Sequence, residues 1–218
     1  MKISVIVNEK KYNWEVEPGE RVIDLLRRHG FHSVRNSCDY RGFCGNCAIF
    51  LDGKIINSCL LLAPQIDGKT IVTAEGLSKG RELHPVQSAI VDAGVAQCGY
   101  CTPSMAMAVK AVVDKNLTPS KEEIKDGLSG RFCRCTGYKQ VFKAVEIASQ
   151  RIKKEKEEPV APSFKSDLRI VGKPKSKVDG TMLAKAEPAY VEDMVRSDSL
   201  YLKMLYSPYA HAKIKNID

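Results

Sequence analysis

The sequence predicts an α+β chain in which a strand-rich segment of about 75 residues is followed by a helical one. Three observations predict it. Apolar residues alternate with period two in the first segment, they recur with helical spacing in the second, and the change falls at Gly76. Residues 3–7 (Ile-Ser-Val-Ile-Val) and 12–16 (Tyr-Asn-Trp-Glu-Val) read as strands joined by the polar turn Asn8–Lys11, a hairpin signal. Pro18-Gly19-Glu20 breaks that pattern, and Val22–Arg28 follows with helical spacing and stops near Gly30. A loop rich in Cys and Gly spans Ser37–Cys47. Ala48–Leu51 and Lys54–Asn57 then flank Asp52-Gly53 as a second hairpin, and Thr70–Thr73 is a last short strand.

Beyond Gly76, Pro85–Ala93 reads as a helix, and Thr102-Pro103 opens another with proline at its first position. Thr118-Pro119 is expected to open a third, with Glu122 and Glu123 in a first turn whose dipole favours acids. Lys139–Ile152 is expected to be the fourth, with Val141, Val145 and Ala148 on one face, so a small helical bundle is expected. Residues 153–164 are charged and proline-containing, as in a linker. From Leu168 onward the chain reads as β-rich again, as in Leu200–Leu205, but stops at Asp218, too early to close a third core. The four regions are 1–76, 77–152, 153–169 and 170–218.

The net charge of +8 raises the question of nucleic acid. Of it, +5 falls in residues 151–177, where nine Lys or Arg face four acids. No aromatic residues alternate with these charges to stack bases, so the stretch reads as solvated chain rather than a nucleic-acid surface. No apolar run is long enough to span a membrane, and the N-terminus lacks the apolar core and cleavage site of a signal peptide. A cytoplasmic location is the expectation. Eight cysteines in such a chain point to metal ligation or catalysis rather than disulfides.

Their spacing carries the chemistry. Cys38, Cys44, Cys47 and Cys59 form C-x5-C-x2-C-x11-C. Three close cysteines and a fourth one strand later is the plant-type 2Fe-2S arrangement, with the first gap five residues instead of four. The extra residue is either a local bulge or a change in how Cys38 ligates. Gly42 and Gly45 allow the backbone to approach and its N–H groups to point at sulfur. Four thiolates also suit zinc, although zinc sites usually come as two C-x-x-C pairs and this loop has one. Cys98 and Cys101 form C-x2-C, and Cys133 and Cys135 form C-x-C. Alone this second set fits zinc or a cluster. It also fits a redox dithiol at Cys98–Cys101, though no thioredoxin-like βαβ pattern surrounds it. Both halves precede expected helix starts, where dipole and free N–H groups would stabilise thiolates. The four histidines, His29, His32, His84 and His211, are scattered, and His84 before Pro85 reads as a helix-start residue.

At these residues the sequence resembles the xanthine dehydrogenase and aldehyde oxidoreductase family of molybdenum hydroxylases. The matching segments are CGNCAIFLDGKIINSCLLLA, IVTAEGL, HPVQSAIVDAGVAQCGYCTPSMAMA and CRCTGY, across residues 3–150. The resemblance implies a ferredoxin-like β-grasp domain and a four-helix domain. One 2Fe-2S cluster would sit on Cys38, Cys44, Cys47 and Cys59, the other on Cys98, Cys101, Cys133 and Cys135. It implies a molybdopterin cofactor at the interface with the catalytic part, touched by Gln97 and Cys135. Spacing alone leaves Gln97 equally readable as a polar helix-end residue. Residues 170–218 resemble the beginning of the family's molybdopterin-binding subunit, with no FAD domain in between. The family's catalytic residues lie beyond Asp218, so they are expected on the remainder of the polypeptide or on a partner subunit, with electrons leaving to an external acceptor. Ser104, where the family usually has Gly, and Arg131-Phe132, where Asn-Leu is common, depart from its pattern. The rival readings are a free-standing 2Fe-2S carrier and a zinc-binding interaction module.

Overall fold

The computed structural model describes residues 1–154, 169–170, 175–187, 190–195 and 199–216. The expected linker therefore falls almost wholly outside the described residues. The described chain is a mixed α+β structure with a five-stranded sheet and six α-helices.

Strands β1 (Lys2–Val7) and β2 (Lys10–Glu15) form the first hairpin, in the register Ile3 opposite Trp14 and Val5 opposite Tyr12. Asn8 and Glu9 make its turn, both at positive φ. Helix α1 (Val22–Arg28) buries Val22, Ile23, Leu25 and Leu26. Strands β3 (Ala48–Leu51) and β4 (Lys54–Asn57) pair across Asp52-Gly53, both left-handed as a tight Asp-Gly turn requires. Strand β5 (Thr70–Val72) lies parallel to β1 and antiparallel to β3, giving the order β2-β1-β5-β3-β4.

The helical part comprises α2 (Pro85–Asp92), α3 (Thr102–Lys115), α4 (Lys121–Leu128) and α5 (Lys139–Lys153). His84 caps α2, its Nδ1 accepting from the Val86 N–H at 3.2 Å. The third helix starts later than Thr118-Pro119 suggests. Asn116 Oδ1 accepts from the Thr118 N–H and holds that residue in a turn. Ser120 and Glu123 then make a reciprocal capping box, so Ser120 is the N-cap.

Alternation along β3 joins the two parts. Cys47 and Ile49 face a core shared with α1, β1 and Trp14, whereas Ala48 and Phe50 face a core shared with Met105, Val109 and the other helices. The sheet thus lies between α1 and the helical group, and β3 is buried on both faces.

The β-rich expectation after Leu168 is not met among the described residues. Residues 180–184 form a short helix, α6 (Gly180–Ala184), and no strand follows β5. Leu200, Tyr201, Leu202 and Leu205 are fully exposed, and without a neighbouring strand their backbone groups have no ladder to join. The segment before them packs closely: Leu183 and Ala184 are buried, and the Ala184 carbonyl accepts from the Gln87 amide at 2.8 Å.

Candidate functional site: two cysteine groups and the seam between them

The first group is buried throughout, with Cys38, Cys44, Cys47 and Cys59 each at most 3% exposed. Its loop winds through left-handed residues at Asp39, Tyr40, Gly42 and Gly45. Asp39 and Tyr40, consecutive and both left-handed, turn the chain within the five-residue gap, and Cys38 meets the Cys44 thiol. Cys47 and Cys59 make the other pair. The backbone turns its donors inward. Burial raises the Cys38 thiol, but the N–H groups of Cys44, Gly42 and Phe43 and the Cys44 thiol outweigh it and lower its pKa. Burial raises Cys44 despite N–H donors from Asn46 and Ser37. Cys59 is pushed up to about 12 by burial, then by the charge and hydrogen bond of Cys47 and the charges of Cys38 and Cys44. Four thiolates here repel one another unless cationic metal sits among them.

The second group gathers from two helix-flanking loops. Cys98 meets Cys135, and Cys101 meets Cys133. Cys101 and Cys133 are buried, while Cys98, Cys135 and the adjacent Gln97 are exposed along one edge. Burial raises Cys98 and, more strongly, Cys101, with Cys133 adding charge and a hydrogen bond to the latter. On Cys133 burial is outweighed by the Thr136 hydroxyl, the N–H groups of Thr136 and Cys135, and the Cys101 thiol, and its pKa falls.

The helix-end expectation holds only in part. Cys101 is the N-cap residue of α3, yet its thiol makes no capping bond. Thr136, Gly137 and Tyr138 separate Cys135 from α5, so loop N–H groups rather than the helix end serve Cys133. Tyr138 holds that loop: left-handed at the N-cap of α5, its hydroxyl accepts from the Cys133 N–H at 3.0 Å and donates to the Arg131 carbonyl at 2.8 Å.

Among the described residues, no three His, Cys, Asp or Glu side chains converge to hold a lone metal ion. The thiols instead meet in twos, four pairs in all. A 2Fe-2S cluster asks for such pairs, two thiolates on each iron, with donors to sulfur around them. The donor set fits that group.

A seam joins the groups. The Phe132 N–H donates to the Cys44 carbonyl at 2.8 Å. The Ser104 hydroxyl, buried in α3, donates to Asn46 Oδ1 at 3.1 Å, and Asn46 Nδ2 donates to Ser37 at 2.6 Å. Arg131 Nη1 donates to Asn57 Oδ1 at 2.6 Å and reaches the Gly45 carbonyl at 3.5 Å. Only glycine fits at Gly45: a Cβ there would lie 2.2 Å from the Gly130 carbonyl oxygen and 2.4 Å from Arg131 Nη1. A cavity of about 220 Å³ lies along this seam, lined by Ser37 and Asn46 from one group and by Cys98, Cys101 and Cys133 from the other.

The segment after α5 closes the far side. Tyr190 donates to the Cys98 carbonyl at 2.6 Å, and Leu183 packs so closely on Gly99 that a Cβ there would lie 2.5 Å from its Cδ1. Asp193 lies 3.2 Å from Arg27 and 3.7 Å from Arg35, whose guanidinium stacks on Tyr190. Sequence reasoning missed Asn46, Tyr138, Tyr190 and the roles of Ser104 and Arg131. The last two carried a signal, as departures from the family's pattern beside cysteines.

Fold and paired thiols together define an iron–sulfur protein. Residues 73–146 match the family described as 2Fe-2S binding domain. The chain is 43% identical over 223 residues to the probable hypoxanthine oxidase XdhD of Escherichia coli K12, a match covering all of this chain and 23% of that protein. It is 41% identical over 147 residues to the xanthine dehydrogenase iron-sulfur-binding subunit of Escherichia coli O157:H7, covering 66% of this chain and 91% of that subunit. The crystal structure of the aldehyde oxidoreductase from Desulfovibrio desulfuricans superposes with a TM-score of 0.81 at 31% identity, over 88% of this chain and 22% of that one. The chain belongs to the xanthine dehydrogenase and aldehyde oxidoreductase family and corresponds to its iron–sulfur part. It spans about a quarter of the length of the hypoxanthine oxidase relative.

Proposed function

We propose that this chain carries two 2Fe-2S clusters and relays electrons singly from a molybdopterin site to an external acceptor, as the iron–sulfur part of a molybdenum hydroxylase. The observation that carries the reading is the meeting of all eight thiols in twos, within N–H-lined loops joined by the Cys44–Phe132 hydrogen bond. The clusters supply one-electron storage when bound. Cys38 with Cys44 and Cys47 with Cys59 would each hold one iron of the first; Cys98 with Cys135 and Cys101 with Cys133 would each hold one iron of the second. Gln97 and Cys135, on the exposed edge, are suited to touch the pterin from this side.

The molybdenum-binding residues and the substrate pocket are assigned to the remainder of the polypeptide or to a partner subunit, in keeping with the short span of this chain on its longer relative. Residues 1–76, 77–152 and 170–218 are taken as the first cluster domain, the second cluster domain and the beginning of the molybdopterin-binding domain, with 153–169 as linker and no FAD site in this chain. Among the described residues no helix is long and apolar enough to cross a membrane. Cytoplasm, where thiols stay reduced, suits the chemistry.

The test is anaerobic purification, iron and acid-labile sulfide assay, and EPR after dithionite reduction. About four irons per chain and two distinct S = 1/2 signals are expected. A colourless protein that binds zinc and gives no signal after iron–sulfide reconstitution would sink the reading.

A further inference from the structure

Arg131 belongs to the loop of the second cysteine group, yet its guanidinium is delivered to the first. It crosses the seam to Asn57 Oδ1 at 2.6 Å and the Gly45 carbonyl at 3.5 Å, inside the turn between Cys44 and Cys47. Its Nε is sealed from solvent and has no hydrogen-bond partner among the described residues. Burial lowers its pKa, and the charges of Cys47 and then Cys44 raise it, which places the cation in the field of those two thiolates. Two features keep it there. Gly45 is left-handed and leaves no room for a side chain, and the Tyr138 hydroxyl holds the Arg131 carbonyl.

Among the described residues no acid is paired with Arg131; it donates to an amide oxygen and a backbone carbonyl. A neutral side chain would satisfy both and avoid the desolvation penalty of a half-buried cation. Negative charge at the first cysteine group is what offsets that penalty, and the charge rises by one unit when the iron held there is reduced. Arg41 lies on the same loop but is exposed, where water and salt screen it.

We propose that Arg131 is the electrostatic positioning residue that makes the first cysteine group the preferred stop for the electron, by favouring its reduced form over that of the second group. The inference rests on the two-cluster reading above. With both groups loaded, one electron would move from iron that Cys98, Cys101, Cys133 and Cys135 would hold to iron that Cys38, Cys44, Cys47 and Cys59 would hold. One ferrous ion would be oxidised and one ferric ion reduced, with no bond or proton changing hands. Arg131 does not touch the iron; it acts through the field at Cys44 and Cys47.

The test is an EPR-monitored redox titration of the anaerobically purified full chain and of R131Q, R131M and R131K, with the first group's signal assigned by its loss in C47A. In R131Q and R131M the reduction equilibrium of the first group should fall about tenfold against the second, or about 59 mV for a one-electron couple. R131K should stay within about threefold of the parent, because the charge is kept. Unchanged potentials in the neutral variants would overturn the proposal. So would an equal fall in R131K, or loss of the first signal from both neutral variants, because the side chain would then be holding the loop rather than setting its charge. A parent chain lacking two signals would overturn the two-cluster reading instead, and this inference with it.

Discussion

Gly45→Ala tests whether the seam is a rigid contact. Gly45 sits at φ +68°, and a Cβ there would meet the Gly130 carbonyl oxygen at 2.2 Å and Arg131 Nη1 at 2.4 Å. The first of these atoms is backbone and cannot swing aside. An alanine held left-handed costs about 1–2 kcal/mol, and forcing an extra carbon into a packed site costs about 1–3 kcal/mol more. The sum, about 2–5 kcal/mol, corresponds to a fall in Tm of about 4–20 °C at the ~2–4 °C per kcal/mol expected of a chain this long. Gly53→Ala supplies the control. Its φ is +80°, but nothing lies within 4 Å of the added carbon. It therefore carries the backbone cost alone, a loss of about 2–8 °C. The assay is thermal unfolding by circular dichroism on the anaerobically purified proteins, with iron content measured in parallel. Equal losses in the two variants would refute the reasoning, since the Gly130 contact would then cost nothing.

The seam's buried hydroxyl gives a second expectation: Ser104→Ala strands Asn46 Oδ1 and should cost about 1–3 kcal/mol in urea unfolding. If the groups ligate separately, C47A should abolish one EPR signal and C101A the other, each leaving about two irons per chain. Acid should weaken the fold through His29 and His84. Burial first, and then Arg28 for His29 and Lys110 for His84, hold both below the ordinary value near 6.5. The unfolded chain therefore binds more protons below that value, so their contribution is whole above about pH 6.5 and is lost as pH falls through the folded pKa. Protonating His84 also ends its acceptance of the Val86 N–H. H84N, which keeps a capping acceptor, should flatten the decline between pH 7 and 5.5 in urea midpoints. Finally, Asp193→Asn should cost about 3 kcal/mol or release the segment around Tyr190, seen as faster hydrogen exchange at Cys98–Tyr100, because it removes the carboxylate beside the almost wholly buried Arg35 guanidinium.

Elements fixed by local chemistry were legible. Helix α1 and strands β3 and β4 fall where Val22–Arg28, Ala48–Leu51 and Lys54–Asn57 suggested, because alternation and the Asp52-Gly53 turn decide them within a few residues. The start of α4 was misread because Thr-Pro is a good helix opening in isolation, while the Ser120–Glu123 box just beyond it satisfies two backbone donors. Among the described residues after Leu168 no strand forms, because alternation marks a capacity to pair and says nothing of whether a neighbour is there. The cysteine groups were legible from spacing. The seam was not: Ser104 to Asn46 and Arg131 to Asn57 span 58 and 74 residues, and no local pattern encodes such a meeting. What could be noticed was chemical cost, an arginine where an uncharged residue would do.

The fold holds its two cysteine groups together without a flexible joint. Strand β3 contributes Cys47 and Ile49 to one core and Ala48 and Phe50 to the other, so the two parts cannot part without exposing both. Across this apolar join run bonds between uncharged groups, Phe132 to Cys44 and Ser104 to Asn46, beside the Arg131 cation held on Asn57. The segment beyond α5 extends the same logic to the outer edge. Tyr190 and Leu183 brace the Cys98–Cys101 turn, and Gln87, buried in α2, holds the Ala184 carbonyl. Of the four thiols in that group the two it leaves exposed, Cys98 and Cys135, stand beside Gln97. Residues 180–187 and 190–195 therefore brace the second cysteine group. A chain cut at residue 154 should fold its sheet and lose definition first at Cys98, seen as faster hydrogen exchange at Cys98–Tyr100.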